Sequence, residues 1–265
     1  MGLKRLVTAA LIVPPFYLYV TKLPPVFFAA LLLAAAYIAQ TEFYNMYGVR
    51  GGLRAAGVVW GVAVLGLMFA LPGRVVDALA GGLLVAALLR LFLKRSPGSA
   101  LAELSPAVMG VLYVPLLLSY QLALRQAGAR WIIFLFAAIW IADSFAYYVG
   151  KNLGRRKLYE PVSPNKTVAG AVGSLAGGAA GGALVKVLLM GDVSLAASAL
   201  LGLVLGAVAV CGDLVESMFK RDAGVKDSSG LIPGGHGGLL DKLDGVLFGG
   251  PALLWMVKAL RIAAF

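Results

Sequence analysis

Apolar runs of close to twenty residues, separated by short polar segments, follow one another along the whole chain. Nine can be drawn, at roughly 5–21, 25–47, 54–71, 75–93, 105–124, 131–150, 167–190, 194–219 and 245–264. A helix needs about 20 mostly apolar residues to cross the hydrocarbon core of a bilayer. The pattern therefore predicts an all-α, polytopic membrane helix bundle of about nine transmembrane helices. Several runs reach full length only with flanking polar groups included, as tilted or interrupted helices do. The first run contains Pro14-Pro15, where a kink is expected. Lys4 and Arg5 ahead of that run resemble a signal peptide, but eight more runs follow, so it reads as a first span.

Composition narrows the class further. Hydrophobic residues make up 61% of the 265 positions and charged residues 13%, against about 25% charged in soluble domains. A soluble globular domain, a disordered chain and a disulfide scaffold are all excluded, the last because Cys211 is the only cysteine. The net charge of +11 would suggest nucleic acid in a soluble protein. In a membrane protein it marks the cytoplasmic side, and no nucleic-acid partner is expected. With the N-terminus inside, 16 of the 23 Lys and Arg residues fall in the N-tail, 48–54, 90–104, 151–166 and 220–244, and 7 fall outside. This asymmetry predicts N-terminus inside, C-terminus outside and an odd number of spans; the location expected is the cell's inner (cytoplasmic) membrane.

The two longer polar segments, 151–166 and 220–244, lie on the predicted inside. The chain accordingly divides into N-terminal spans, 1–130, and C-terminal spans carrying those loops, 131–265. Gly170, Gly173, Gly177, Gly178, Gly181 and Gly182 crowd the seventh span at spacings of four. Small residues at this spacing let membrane helices approach closely. A phosphate-cradling loop is excluded, since no GK[ST] follows.

Only twelve residues are acidic. Glu103, Glu160 and Asp222 read as solvated loop charges, and Asp77 and Asp192 as outside-loop charges. Glu42, Asp143, Asp213, Glu216, Asp227, Asp241 and Asp244 lie in or beside spans towards the inside. A carboxylate near the bilayer centre costs about 2.5–3.5 kcal/mol on insertion scales and so faces a partner or a wet cavity. Asp213 and Glu216 share a helical face with Ser217 and Lys220, and Asp241 and Asp244 repeat the three-residue spacing. Two readings stay open: a site for a hard cation such as Mg²⁺, or buried ion pairs with Lys220, Arg221 and Lys242.

Between these acid pairs runs a glycine-rich segment with Lys220, Arg221, Lys226 and the only histidine, His236. Cations and free backbone N–H groups suit a polyphosphate. His236 is either incidental or a phosphate or proton-transfer group. In the other loop, Ser163 before Pro164 reads as an N-cap and N1 pair. Lys166 would then lie in a first helical turn, either as a phosphate ligand or as an ordinary interfacial lysine.

Two blocks resemble a known family. Ser217-Met218-Phe219-Lys220-Arg221, Lys226-Asp227, Leu231-Ile232-Pro233 and His236-Gly237-Gly238-Leu239-Leu240-Asp241-Lys242-Leu243-Asp244 look like the signature of phosphatidate cytidylyltransferases, also called CDP-diacylglycerol synthases. Asp143-Ser144-Phe145-Ala146-Tyr147-Tyr148, Gly150-Lys151 and Ser163-Pro164-Asn165-Lys166-Thr167 agree with it. The resemblance covers roughly the C-terminal half; residues 1–130 match only as hydrophobic spans. The sequence departs from the family pattern at Gly234-Gly235, where one glycine is usual, at Lys242, usually Arg, and at Ala169, often an acid or amide.

The resemblance implies an integral-membrane enzyme that condenses CTP with phosphatidic acid, a membrane lipid, to give CDP-diacylglycerol and pyrophosphate, with its site facing the cytoplasm. It implies Mg²⁺ held by Asp213, Asp241 and Asp244 with Glu216 nearby, and Asp143 as a place for a second cation. Lys220, Arg221 and Lys226, beside Asp227, would neutralise the triphosphate; Lys166, Ser163 and Thr167 would bind a phosphate, that of the lipid among the choices. A homodimer is compatible with these features. The rival readings are phosphoryl transfer from CTP to a lipid alcohol, an inactive paralogue, and a small transporter, which would require an internal repeat that the chain lacks.

Overall fold

Inside a bilayer no water is available for backbone N–H and C=O groups, so a spanning segment must satisfy them within itself, as a helix does. The computed structural model describes residues 13–94, 96–228 and 237–262. Residues 13–22 form helix α1. It is followed by α2 (Pro25–Met46), α3 (Gly51–Ala70), α4 (Val75–Lys94), α5 (Ala100–Ala127), α6 (Ala129–Leu153), α7 (Val168–Leu189), α8 (Leu195–Asp222) and α9 (Leu240–Ala259).

Seven of these, α2 to α8, are long and apolar enough to cross a membrane. The protein is thus an all-α, multi-span membrane protein. Helix α9 carries Asp241, Lys242, Asp244 and Lys258, which lower its apolarity, and only the last part of the first span is described. Arg50, Asp77 and Arg74 lie near helix ends, whereas Arg90 does not behave as the loop charge expected of it. It is buried in α4, with Nε 2.7 Å from Glu103 and its Nη atoms donating to the carbonyls of Ser96 and Gly98. Glu103 and Asp222, expected in loops, are helical as well, and Asp222 stays exposed as expected. Glu103 opens α5 and pairs with Arg90 and Lys94; Asp222 ends α8 and accepts a hydrogen bond from the Tyr47 hydroxyl. At Glu103 and Asp222 the helix extends further than the apolar run, because a paired charge can remain helical at a membrane edge.

Between α6 and α7 lies a small antiparallel hairpin, β1 (Lys157–Tyr159) and β2 (Ser163–Thr167). It overturns the expected N-cap at Ser163. Pairing with β1 holds residues 163–167 extended, and the cap of α7 is Thr167, whose Oγ1 accepts from the Gly170 N–H at 3.1 Å. Lys166 therefore precedes the helix and is not in its first turn.

Helix α7 is the middle of a three-helix layer with α6 and α8. On one side Gly173 and Gly177 lie against Phe145, Ile141 and Val149 of α6. On the other, a Cβ at Gly178 would collide with the carbonyl oxygen of Gly202 on α8, and one at Gly182 with that of Ser198. Ser174 Oγ donates across the same seam to the Gly206 carbonyl at 2.9 Å. The glycine spacing thus serves packing, as expected, with backbone meeting backbone. Gly178→Ala is expected to cost about 1–3 kcal/mol through overpacking. Gly191→Ala, where nothing lies within 4 Å, is expected to change stability little; thermal unfolding in detergent measures both.

Candidate active site

Asp213, Glu216 and Asp244 come together because two helix backbones nearly touch beside them. A Cβ at Gly212 on α8 would lie 2.5 Å from the carbonyl oxygen of Asp244 on α9, and Gly245 lies against Ala209. Only a residue without a side chain permits this approach. It brings Asp244 opposite the helical face shared by Asp213 and Glu216, and one carboxylate oxygen from each lies within 4.8 Å of the other two.

Their environments differ. Glu216 is fully buried; its Oε2 accepts from Lys220 Nζ at 2.7 Å and its Oε1 has no donor. Asp213 is partly open, with Oδ2 2.6 Å from Lys166 Nζ. Asp244 Oδ1 accepts from the Gly245 N–H. A buried carboxylate oxygen without a donor is costly, and a cation removes that cost. Three carboxylates with one open side offer the all-oxygen donor set that hard divalent cations take. The cluster can hold a metal ion.

Asp241 is not part of this triad. Its Oδ1 accepts from Lys220 Nζ at 2.5 Å, and its Oδ2 accepts from the Ser228 N–H and hydroxyl and from the Gly238 N–H, at 3.1, 2.8 and 2.7 Å. Of the ion pairs considered from sequence, those of Lys220 with Glu216 and Asp241 are present, while Asp213, Glu216 and Asp244 form a cluster that could hold a cation. Asp241 instead fastens both ends of the segment that joins α8 to α9.

A second carboxylate shares that task. Glu42 of α2, fully buried, accepts from the N–H groups of Leu239 and Leu240 at 3.0 and 2.8 Å and from the Ser228 hydroxyl at 3.4 Å. These N–H groups open α9 and have no partner within the helix, and the helix dipole favours an anion there. The sequence signal was a lone acid in an apolar run; its partner, nearly two hundred residues away, was invisible. Glu42→Ala is expected to lower unfolding free energy by about 1–3 kcal/mol, the cost of stranding buried donors, read as a fall in thermal midpoint.

Beside the triad a cavity of about 610 Å³ is lined by Asp143, Ser163, Lys166, Thr167 and Asp213, together with Tyr147, Lys151 and Asn165. Five expected site residues thus share one chamber, and Asp213 with its partner Lys166 joins it to the triad. Thr167 already uses its hydroxyl to cap α7. Arg221 bridges the two polar loops, donating from Nε to the Val162 carbonyl and from Nη1 to that of Val225. Lys226 and Asp227 are exposed just beyond α8. His236, like Gly234 and Gly235, lies outside the described residues. Tyr147, Lys151 and Asn165 belong to the motif blocks, yet only the fold shows that they face the cavity.

A family model described as the cytidylyltransferase family matches residues 3–260. The chain belongs to that family. The match includes the first 130 residues, where no motif was visible. A phosphatidate cytidylyltransferase of Synechocystis sp. is 35% identical over 266 residues, covering 88% of this chain and 89% of the relative. One from Mycobacterium bovis is 33% identical over 223 residues, covering 79% and 69%. One from Brucella abortus is 45% identical over 133 residues, covering 50% and 48%.

Direct Mn²⁺ binding, followed by electron paramagnetic resonance in detergent, separates the acids. Asp213→Asn and Asp244→Asn are each expected to weaken binding at least about tenfold, the scale of losing a charged ligand. Asp241→Asn should keep affinity within about threefold, because Asp241 is spent on Lys220 and backbone N–H groups.

Proposed function

We propose that this protein is an integral-membrane phosphatidate cytidylyltransferase that condenses CTP with phosphatidic acid to give CDP-diacylglycerol and pyrophosphate. The observation that carries this reading is Asp213, which belongs at once to the carboxylate triad and, through Lys166, to the cavity formed by the hairpin loop. A metal-held triphosphate and a cation-held lipid phosphate would meet there. The names of the relatives agree with this substrate pair.

In the reaction a phosphate oxygen of phosphatidic acid forms a bond to the α-phosphorus of CTP, the bond from that phosphorus to the bridging oxygen breaks, and pyrophosphate leaves with the electron pair. The nucleophile is already anionic, so no strong base is needed; alignment and charge neutralisation dominate. Mg²⁺ at Asp213, Glu216 and Asp244 would supply part of that neutralisation when bound. Lys166 presents its ammonium to a phosphate in the cavity. Lys220 holds Glu216 and Asp241 in place. Arg221 and Lys226 would neutralise charge on the triphosphate and the departing pyrophosphate. Asp143, which lines the same cavity as Lys166, is the candidate for a second cation.

The same reading sets the protein in the inner (cytoplasmic) membrane with nine spans, N-terminus inside and the site facing the cytoplasm. In support, the loop ends that hold most of the cations meet at one end of the bundle: Tyr47 reaches Asp222, and Arg221 reaches Val162. CTP would approach from that side, and the lipid headgroup lies at the same level.

Purified protein with labelled CTP, phosphatidic acid and Mg²⁺ is expected to release pyrophosphate and form CDP-diacylglycerol. Release of CDP would instead establish phosphoryl transfer, and no turnover would support the inactive reading. Lys166→Gln is expected to lower kcat/KM for phosphatidic acid about 10- to 100-fold, the scale of a hydrogen bond to a charged group.

A further inference from the structure

Helix α5 lies in the half of the chain that carries no motif, yet one of its polar side chains packs against both helices that carry the triad. The helix is broken by a single π turn at Leu112–Leu116, with Pro115 inside it. Proline has no N–H to give to the preceding turn and crowds the carbonyl there; a π turn absorbs both defects and redirects the adjoining side chains. Tyr113 sits on this turn. It is 2% exposed, and its hydroxyl has no hydrogen-bond partner.

The ring is held on three sides. It meets Phe219 of α8 at 5.1 Å between centroids, Phe43 of α2 at 5.9 Å and Phe248 of α9 at 6.2 Å. Phe219 is three residues beyond Glu216, and Phe248 four beyond Asp244, so two of the ring's neighbours each stand one helical turn from an acid of the cluster. Glu216, Asp244 and Asp213 are the three charges that act on the hydroxyl. Buried tyrosine hydroxyls ordinarily find a partner, and a phenylalanine would satisfy all three ring contacts. The packing therefore accounts for the ring and leaves the O–H unexplained, beside a cluster built to gather anions through a cation.

We propose that Tyr113 is a further catalytic residue, whose hydroxyl donates a hydrogen bond to a phosphate oxygen held at the Asp213, Glu216 and Asp244 cluster. This rests on the reading that phosphates assemble there. Two sources offer the same chemistry, the nucleotide's polyphosphate and the lipid's phosphomonoester. As a neutral donor, Tyr113 would contribute orientation without adding charge to a site already containing Lys166 and Lys220.

Tyr113→Phe removes only the hydroxyl. Thermal stability is measured without ligand, with Mg²⁺ and pyrophosphate, and separately with Mg²⁺ and glycerol 3-phosphate; turnover of CTP with phosphatidic acid is measured alongside. The unliganded midpoint is expected to stay within about a degree of the unaltered protein or to rise, as an unpaired buried hydroxyl is lost. The stabilisation by one phosphate ligand should fall to less than about half, and the arm affected names the source. Turnover should fall about 10- to 100-fold, with the Mn²⁺ affinity unchanged. Full ligand shifts in both arms with normal turnover overturn the contact and leave the transfer reading standing. Lost ligand shifts in a protein whose unaltered form transfers no cytidylyl group overturn that reading and leave the contact standing. A lower unliganded midpoint with proportionate loss of everything else assigns Tyr113 a structural role, and the absence of a shift with either ligand in the unaltered protein also overturns the contact.

Discussion

The backbone contact between Gly212 of α8 and Asp244 of α9 is what the rest of the site depends on. A side chain at position 212 would meet a carbonyl oxygen at 2.5 Å, so the helices would separate and Asp244 would leave Asp213 and Glu216. The same device acts on the other face of α8, where Gly202 and Gly206 receive α7. Helix α8 is thus clamped between two neighbours by glycine, with its acids directed to the end where both polar loops converge. Close approach of this kind matters more in a membrane than in water, because lipid tails compete with apolar side chains on equal terms and packing must supply the association energy.

Carboxylates in this setting cannot stay without partners, and the protein divides them between two duties. Glu42 and Asp241 are satisfied by N–H groups, a hydroxyl and Lys220. They fix the start of α9 and the two ends of the connecting segment. Asp213, Glu216 and Asp244 are only partly satisfied, and Glu216 keeps one buried oxygen without a donor. Lys220 stands at the boundary, bonded to one acid of each set. Structure and chemistry are therefore coupled through a single lysine: the ion pairs that hold α9 in register also orient a member of the cation-binding cluster.

Much of this was legible in the residues. The apolar runs announced the helices, since their length and composition suffice. The three-residue spacing of Asp213 and Glu216 announced a shared face. The motif blocks announced the family, and Ser163, Lys166, Thr167, Asp143 and Asp213 do line one cavity. What failed was local. Ser163-Pro164 has the chemistry of a helix start, but a three-residue strand at Lys157–Tyr159 pairs with it and moves the cap to Thr167. Glu103 looked like a solvated loop charge, yet it opens α5 and pairs with Arg90, which is buried in α4.

The sequence by itself determined that the chain is a helical membrane protein with a cluster of acids and cations at one level, because apolar length and helical spacing are properties of short stretches. Which acids would bind a cation and which would bind the backbone was decided only by the tertiary structure. Asp241 and Asp244 have the same spacing relationship as Asp213 and Glu216. Yet one faces Lys220 and the N–H groups of Ser228 and Gly238, and the other faces Asp213 and Glu216. Glu42 caps the start of α9 and Tyr113 packs against α8 and α9, both from helices without any motif and across more than a hundred residues. Such contacts depend on where helices cross, and crossing is set by side-chain volume at positions such as Gly212, which only the assembled bundle reveals.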